Sequence, residues 1–184
     1  KDFDVAEAHA SRWIAEPFRL FDCSRENDGA GALLVVSSEL ARDLRKVPVK
    51  LLSVAQGAGQ GWGDLLENDA ADLYPTAGFQ AIRERLYTQA GLTPADIDVV
   101  QLYENFSAQG IASLIDHGFC TYENVAEVVR FDNLIAPSGK LPVNTAGGNF
   151  AQGFVHGIGC AVEAVRVLRG ESAGEEIDRL QQRR

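Results

Sequence analysis

The chain has 184 residues, long enough to bury a core and fitting one domain or a large half of a bigger protein. Apolar residues make up 46% and charged residues 23%, the balance of a globular protein rather than a disordered one. A formal net charge of −9 argues against a nucleic-acid partner, since phosphate binding needs clustered Lys and Arg, and no apolar run approaches the ~20 residues of a membrane span.

In chain order, Val5 to Ile14 carries a helical pattern that stops before Pro17. Ala32 to Val36 is a continuous apolar run read as a buried strand, after which Ser37 or Ser38 caps a short helix ending near Arg45. Beyond Pro48, Val49 to Gly59 reads as a second buried strand entering a glycine loop, and Gln60 to Asp72 as irregular surface chain. Leu73 to Ala90 places Phe79, Ile82, Leu86 and Ala90 at helical spacing, closed by Gly91. Thr93 caps a further short turn with Pro94 at its first position.

Ile97 to Phe106, "IDVVQLYENF", predicts a strand apolar on both faces, followed by a helix from Ser107 to His117 and an irregular stretch through Gly139. A glycine loop then leads into a helix with Ile158, Ala161, Val162, Val165 and Leu168 on one face, closed by Gly170. Wholly apolar strands alternating with amphipathic helices predict a layered α/β fold. Residues 1–170 form one domain, and 171–184 a polar tail or the start of a missing segment, with the basic Arg179, Arg183 and Arg184 solvated.

Lys1-Asp2-Phe3-Asp4 is not a signal peptide, and no methionine occurs, so the sequence reads as a piece of a longer protein. Cys23, Cys120 and Cys160 are odd in number and widely spaced, the pattern of reduced core thiols in a cytoplasmic protein. No metal site is expected, since His9 and His117 lack partners at ligand spacing. Trp13 and Trp62 read as packing anchors, and Asp28, Asp98, Asp116, Glu123 and Glu127 as solvated or capping groups.

Two places could carry chemistry. Tyr103, Glu104 and Asn105 lie where a strand ends and a helix begins, the usual location of sites in open α/β sheets. The plain alternative is that Glu104 and Asn105 cap the helix and Tyr103 simply packs. The second place is "LPVNTAGGNFAQGFVHGIG", Leu141 to Gly159. There Gly147 and Gly148 let backbone N–H groups turn toward a ligand oxygen beside a helix start, which suits an oxyanion, although a glycine pair is also ordinary turn chemistry.

Together, "DCSRENDGAGALLVVSSELARDL", "DVVQLYENFS" and "LPVNTAGGNFAQGFVHGIGCAVEAVRVLRG" resemble the C-terminal half of the thiolase superfamily. The branch they look closest to is the bacterial lipid-transfer-protein group, related to sterol carrier protein x thiolases. The resemblance covers roughly Asp4 to Gly170 and implies a thiolase-like layered α/β/α fold. The family's Asn-Glu-Ala-Phe motif falls on Tyr103-Glu104-Asn105-Phe106, so Glu104 and Phe106 match and Tyr103 stands at the catalytic asparagine. The family's Gly-His-Pro falls on Gly153-Phe154-Val155, so Phe154 stands at the catalytic histidine. His156 follows two residues later, and on a regular helix would point about 200° away.

The family's nucleophilic cysteine belongs to an N-terminal half, and Cys23, Cys120 and Cys160 match none of its cysteine positions. These departures resemble the branch of aldolases that cleave steroid side chains, splitting a β-hydroxy acyl-CoA into a ketone and propionyl-CoA. The resemblance thus implies Tyr103 as catalytic group, with His156 as the second candidate. Asn144, Gly147, Gly148, Glu104, Asn105, Phe154 and Tyr122 are expected to line the substrate site. Tyr122 is included because the stretch from Phe119 to Gly139 could fold over it. The resemblance further implies no cofactor beyond coenzyme A within the substrate, a homodimer, and an accessory protein with an oligonucleotide-binding (OB) type fold and a zinc ribbon. An acyltransferase with its cysteine in the missing half, and a non-catalytic acyl-CoA-binding subunit, are the competing readings.

Overall fold

The computed structural model describes residues 4–57 and 78–172. Trp62, the Gln60–Asp72 stretch, Gly59, the start of the Leu73 helix, residues 1–3 and the tail from 173 on lie outside the described residues.

Helix α1 (Val5–Ala10) starts where Asp4 Oδ1 accepts from Glu7 N at 2.7 Å, and it ends well before Ile14, the expected limit of the helical pattern. The next residues pair instead: β1 (Trp13–Ala15) runs antiparallel to β2 (Phe18–Arg19), and the Arg19 guanidinium sits 3.6 Å above the Trp13 ring. Trp13, expected as a packing anchor, is therefore stacked on Arg19 at the surface. Helix α2 (Ser38–Arg42) is capped by the Ser37 hydroxyl, as its sequence predicts.

The two apolar runs expected as buried strands form no strand among the described residues and are largely exposed, with Leu34 80% and Leu51 65% accessible. Their contacts explain why. Gly31 abuts Ile158 and Val162 of the last helix, while Gly57 abuts Ile82 and Ser53 Oγ donates to Leu86 O at 2.9 Å. Helices thus lie against the entry to the first run and part of the second, and the described residues leave much of both exposed. A run that is apolar on both faces is buried only when a layer packs on each.

Helix α3 (Gln80–Ala90) closes at Gly91, whose φ of +68° is the left-handed cap a glycine supplies freely. Thr93 and Pro94 open a single 3-10 turn in which Thr93 N and Oγ1 both donate to Asp96 Oδ2. The run Ile97–Phe106, expected as a full strand, makes only isolated bridges but lies at the centre of the fold, and is called the central strand below. Val100 bridges Val143 in parallel register, Cys23 bridges Phe106 in antiparallel register, and Ser24 N donates to Asn105 O.

Helix α4 (Ser107–Asp116) packs Leu114 and Ile115 with Val100, Leu102 and Cys120 into the core. Asp116, expected as a solvated or capping group, is completely buried and accepts from Phe79 N at 3.0 Å, so it caps α3 from a distant element. The stretch expected as irregular folds into α5 (Val125–Val128) and α6 (Phe131–Leu134), and α6 is tied to the following segment by bonds from Leu141 N to Asn133 O and from Val143 N to Leu134 O. A single turn, α7 (Gly148–Ala151), precedes α8 (Ile158–Arg169), which Gly170 closes. The buried face of α8 is Cys160, Glu163 and Val167, while Ala161 and Leu168 of the expected face are exposed. Periodicity alone could not place a carboxylate inside.

His117, at the end of α4, stacks on Phe79 with ring centroids 4.9 Å apart and lies 6.4 Å from Phe119. Burial pushes its pKa down from the ordinary range, against the pull of Asp116 and with the help of Arg83. The unfolded chain therefore holds this proton more tightly, and stability falls as pH drops through the ordinary histidine range near ~6.5. In the full-length protein, His117→Phe, which keeps the ring stack, should flatten the fall in thermal midpoint between about pH 7 and 5.5. Thermal melts check this, and an unchanged slope contradicts it.

Candidate active site at the strand end and glycine loop

The extended run stops at Leu102 because a side chain takes over its hydrogen bonding. Leu102 N donates to Asn144 Oδ1 at 2.7 Å, while Asn144 N donates to Val100 O at 2.9 Å. Asn144 does this with a φ of +50°, a conformation asparagine tolerates better than most residues. Glu104, two residues beyond Leu102, turns inward and is 6% exposed. Its Oε1 accepts from Asn149 N at 2.7 Å, and Asn144 also bonds it. Burial pushes the Glu104 carboxyl up from its ordinary range, while donors from Asn149, Asn144 and Phe150 pull it back. Glu104 is therefore spent not on α4 but on α7, which it caps across the site through Asn149 N.

The glycine pair has a steric reason. Gly147 turns with φ +97°, its N–H donating to Asn144 O at 2.7 Å. Gly148 has φ +56°, and a β-carbon there would collide with Glu104 Oε1 and Asn144 Nδ2. Of the loop N–H groups, that of Gly147, expected to turn toward a ligand oxygen, and that of Asn149 just beyond the glycine pair are already bonded within the protein. The loop's donors are in part its own scaffold.

Past α7 the loop is irregular, which decides the direction of His156. The Phe154 N–H donates to Asn27 Oδ1, and Phe154 bridges Glu26 in parallel register. His156 has φ +50°, is exposed, and sets its ring 4.7 Å from that of Phe154. Phe154 in turn lies 5.9 Å from the half-buried Tyr103 ring. Tyr103 covers Gly157, the left-handed cap of α8, where a β-carbon would stand 3.1 Å from the ring. The 200° separation of a regular helix does not apply. Tyr103, Phe154 and His156 form one aromatic row along the loop.

The other expected residues divide. Asn144, Gly147, Gly148 and Glu104 meet in one hydrogen-bonded cluster beside this row. The backbone carbonyl of Asn105 accepts from Ser24 N, while its side-chain Oδ1 is buried without a partner. Tyr122 packs against the core cluster of Val100, Leu102, Leu114, Ile115 and Cys120. Burial pushes the Cys160 thiol up to about 11, Glu104 adding to the rise, and its Sγ donates to Leu102 O at 3.1 Å, the state of an inert core thiol. Among the described residues, no group of three or more His, Cys, Asp or Glu is placed to hold a metal ion. A cavity of about 320 Å³ lies away from the row, between α3 and the strand, lined by Leu52, Leu86, Leu92, Val99 and Gln101 among others.

Residues 59–182 match the family model described as "Thiolase C-terminal domain-like". The chain belongs to that family. Over 172 residues it is 36% identical to the 17-hydroxy-3-oxo-4-pregnene-20-carboxyl-CoA lyase of Mycobacterium tuberculosis, covering 94% of this chain and 44% of that protein. Over 168 residues it is also 36% identical to the steroid side-chain-cleaving aldolase of Thermomonospora curvata, covering 91% and 43%. The solved structure of the "Ltp2-ChsH2(DUF35) aldolase" superposes with a TM-score of 0.86 at 35% identity, over 92% of this chain and 44% of that one. The thiolase-like α/β fold read from the motifs is thereby established, and the chain spans less than half the length of these relatives.

Three residues that shape the loop escaped the sequence reading as site residues. Asn27 had a visible signal, the turn triplet Asn27-Asp28-Gly29. Glu163 had a weaker one, a lone acid in an apolar helix pattern, and Thr145 had none.

Gly148→Ala should destabilise the full-length protein by about 1–3 kcal/mol from backbone strain alone, and by more because its methyl meets Glu104. Gly91→Ala is the control, since φ is +68° there too but a β-carbon meets nothing within 4 Å. Denaturant midpoints check this; equal losses at the two positions contradict the steric role of Gly148.

Proposed function

We propose that the protein of which this chain is part is a carbon–carbon lyase that cleaves a β-hydroxy acyl-CoA, of steroid side-chain type, by a retro-aldol reaction. The supporting observation is the aromatic row. The positions that resemble the thiolase asparagine and histidine hold Tyr103 and Phe154, and His156 joins them at the exposed end. The likeness to a lyase of a 17-hydroxy, 20-carboxyl-CoA steroid and to a side-chain-cleaving aldolase supports the same reading.

In such a substrate the hydroxyl-bearing carbon adjoins the carbon next to the thioester. A base removes the hydroxyl proton, the oxygen becomes a ketone, and the bond between those two carbons breaks. Its electron pair enters the thioester as an enolate, which then takes a proton on carbon to leave propionyl-CoA. Tyr103 accepts or relays the hydroxyl proton, and His156 is the second candidate for that transfer. Loop donors not already used within the protein hold the enolate oxygen. Phe154 excludes water beside Tyr103. No cysteine nucleophile is required, and no cofactor beyond the coenzyme A of the substrate.

The enzyme works in the cytoplasm as a homodimer with an accessory subunit carrying an OB-type fold and a zinc ribbon. The superposing aldolase, in which Ltp2 is paired with ChsH2(DUF35), supports a partner subunit.

The experiment is cleavage of a β-hydroxy steroid acyl-CoA by the full-length protein with its partner, following ketone and propionyl-CoA. Tyr103→Phe should lower kcat by roughly 10²- to 10⁴-fold, and His156→Ala by less. Full activity in both variants contradicts the proposal.

A further inference from the structure

Helix α8 buries Cys160, Glu163 and Val167, and Glu163 is 1% exposed. An acid at the inner face of a helix is disfavoured unless hydrogen bonds replace its water. Here Glu163 Oε1 accepts from Thr145 Oγ1 at 3.0 Å and from Ser172 Oγ at 2.6 Å. Thr145 Oγ1 in turn accepts from Gln101 Nε2 at 2.8 Å. A threonine hydroxyl has a single proton, and with the Gln101 amide donating to it, that proton is committed to Glu163. One chain of bonds therefore joins the strand end, the glycine loop, α8 and the segment after it.

Thr145 follows Asn144, the residue that clips the strand, and precedes the Gly147–Gly148 turn. The far end of that turn is held by Glu104 through Asn149 N. Two buried carboxylates thus grip the loop from opposite ends, one from the strand end and one from α8.

We infer that Glu163 is a positioning residue of the active site, which acts through Thr145 to hold the Asn144–Asn149 loop in its working geometry. In this role it acts through the bonds from Thr145 and Ser172 and takes no part in proton transfer. Its hold on the loop stands on the geometry alone; its effect on turnover rests on the retro-aldol reading.

The test uses the full-length protein with its partner. Amide hydrogen exchange is measured on the wild type, Glu163→Ala, Thr145→Val and Thr145→Ser. Exchange over residues 144–150 should quicken in Glu163→Ala and Thr145→Val, while α4 stays as protected as in the wild type. Thr145→Ser, which restores the hydroxyl, should restore protection. On the β-hydroxy acyl-CoA, the first two variants should lose roughly 10- to 100-fold in kcat with KM within about 2-fold. The double variant should lose no more than either single one, because both cut the same link. Unchanged loop exchange, loosening spread evenly over the molecule, or additive kinetic losses would overturn the inference. If the wild type cleaves no such thioester, the retro-aldol reading fails and the exchange pattern alone decides the role of Glu163.

Discussion

A carboxylate removed from water must find donors inside the protein or give up its charge, and Glu104 imposes that requirement on everything around it. It sits where the central extended run ends, and its donors come from the glycine loop, far later in the chain, through Asn149 N and Asn144. Because Glu104 must reach Asn149, no side chain fits at Gly148. Because Asn144 also bonds Leu102 N, the strand has to stop there, and Tyr103 emerges at a fixed place beside Gly157. The place of the aromatic row follows from how the Oε1 atom of this one acid is held, while its Oε2 is buried without a partner.

The same bonding shapes the chemistry. A loop that spends the N–H groups of Gly147 and Asn149 on its own scaffold has fewer donors to offer a ligand, so under the proposed reaction side chains carry more of the work. Those within the row are a phenol, a phenyl ring and an imidazole. A buried thiol pushed up to about 11, as at Cys160, is no nucleophile. Under the retro-aldol proposal, this set of groups suits proton movement better than acyl transfer to sulfur.

Helix ends were the most legible part of the sequence, because capping is written locally: Ser37, Thr93-Pro94, Gly91 and Gly170 all act as their positions predict. Strand burial was legible only in part, since the apolar runs around Leu34 and Leu51 say that both faces need cover but not which residues supply it. The site was readable as two motifs, and their meeting depended on a resemblance that tied Tyr103 to Phe154. The orientation of His156 was not readable, because it turns on a left-handed residue in an irregular loop. Asp116 and Glu163 were invisible as core groups, for a buried acid is explained by partners on other elements, Phe79 and Thr145. Pairings of this kind carry no periodicity.

The most direct measurement of the central claim is thioester cleavage by the full-length protein with its partner, before and after alkylation of its accessible thiols and without added free coenzyme A. Carbon–carbon cleavage at the Tyr103 site through an enolate predicts that ketone and propionyl-CoA continue to form at the same rate. Loss of activity on alkylation, with turnover that requires free coenzyme A, would place the reaction on a cysteine and contradict the account.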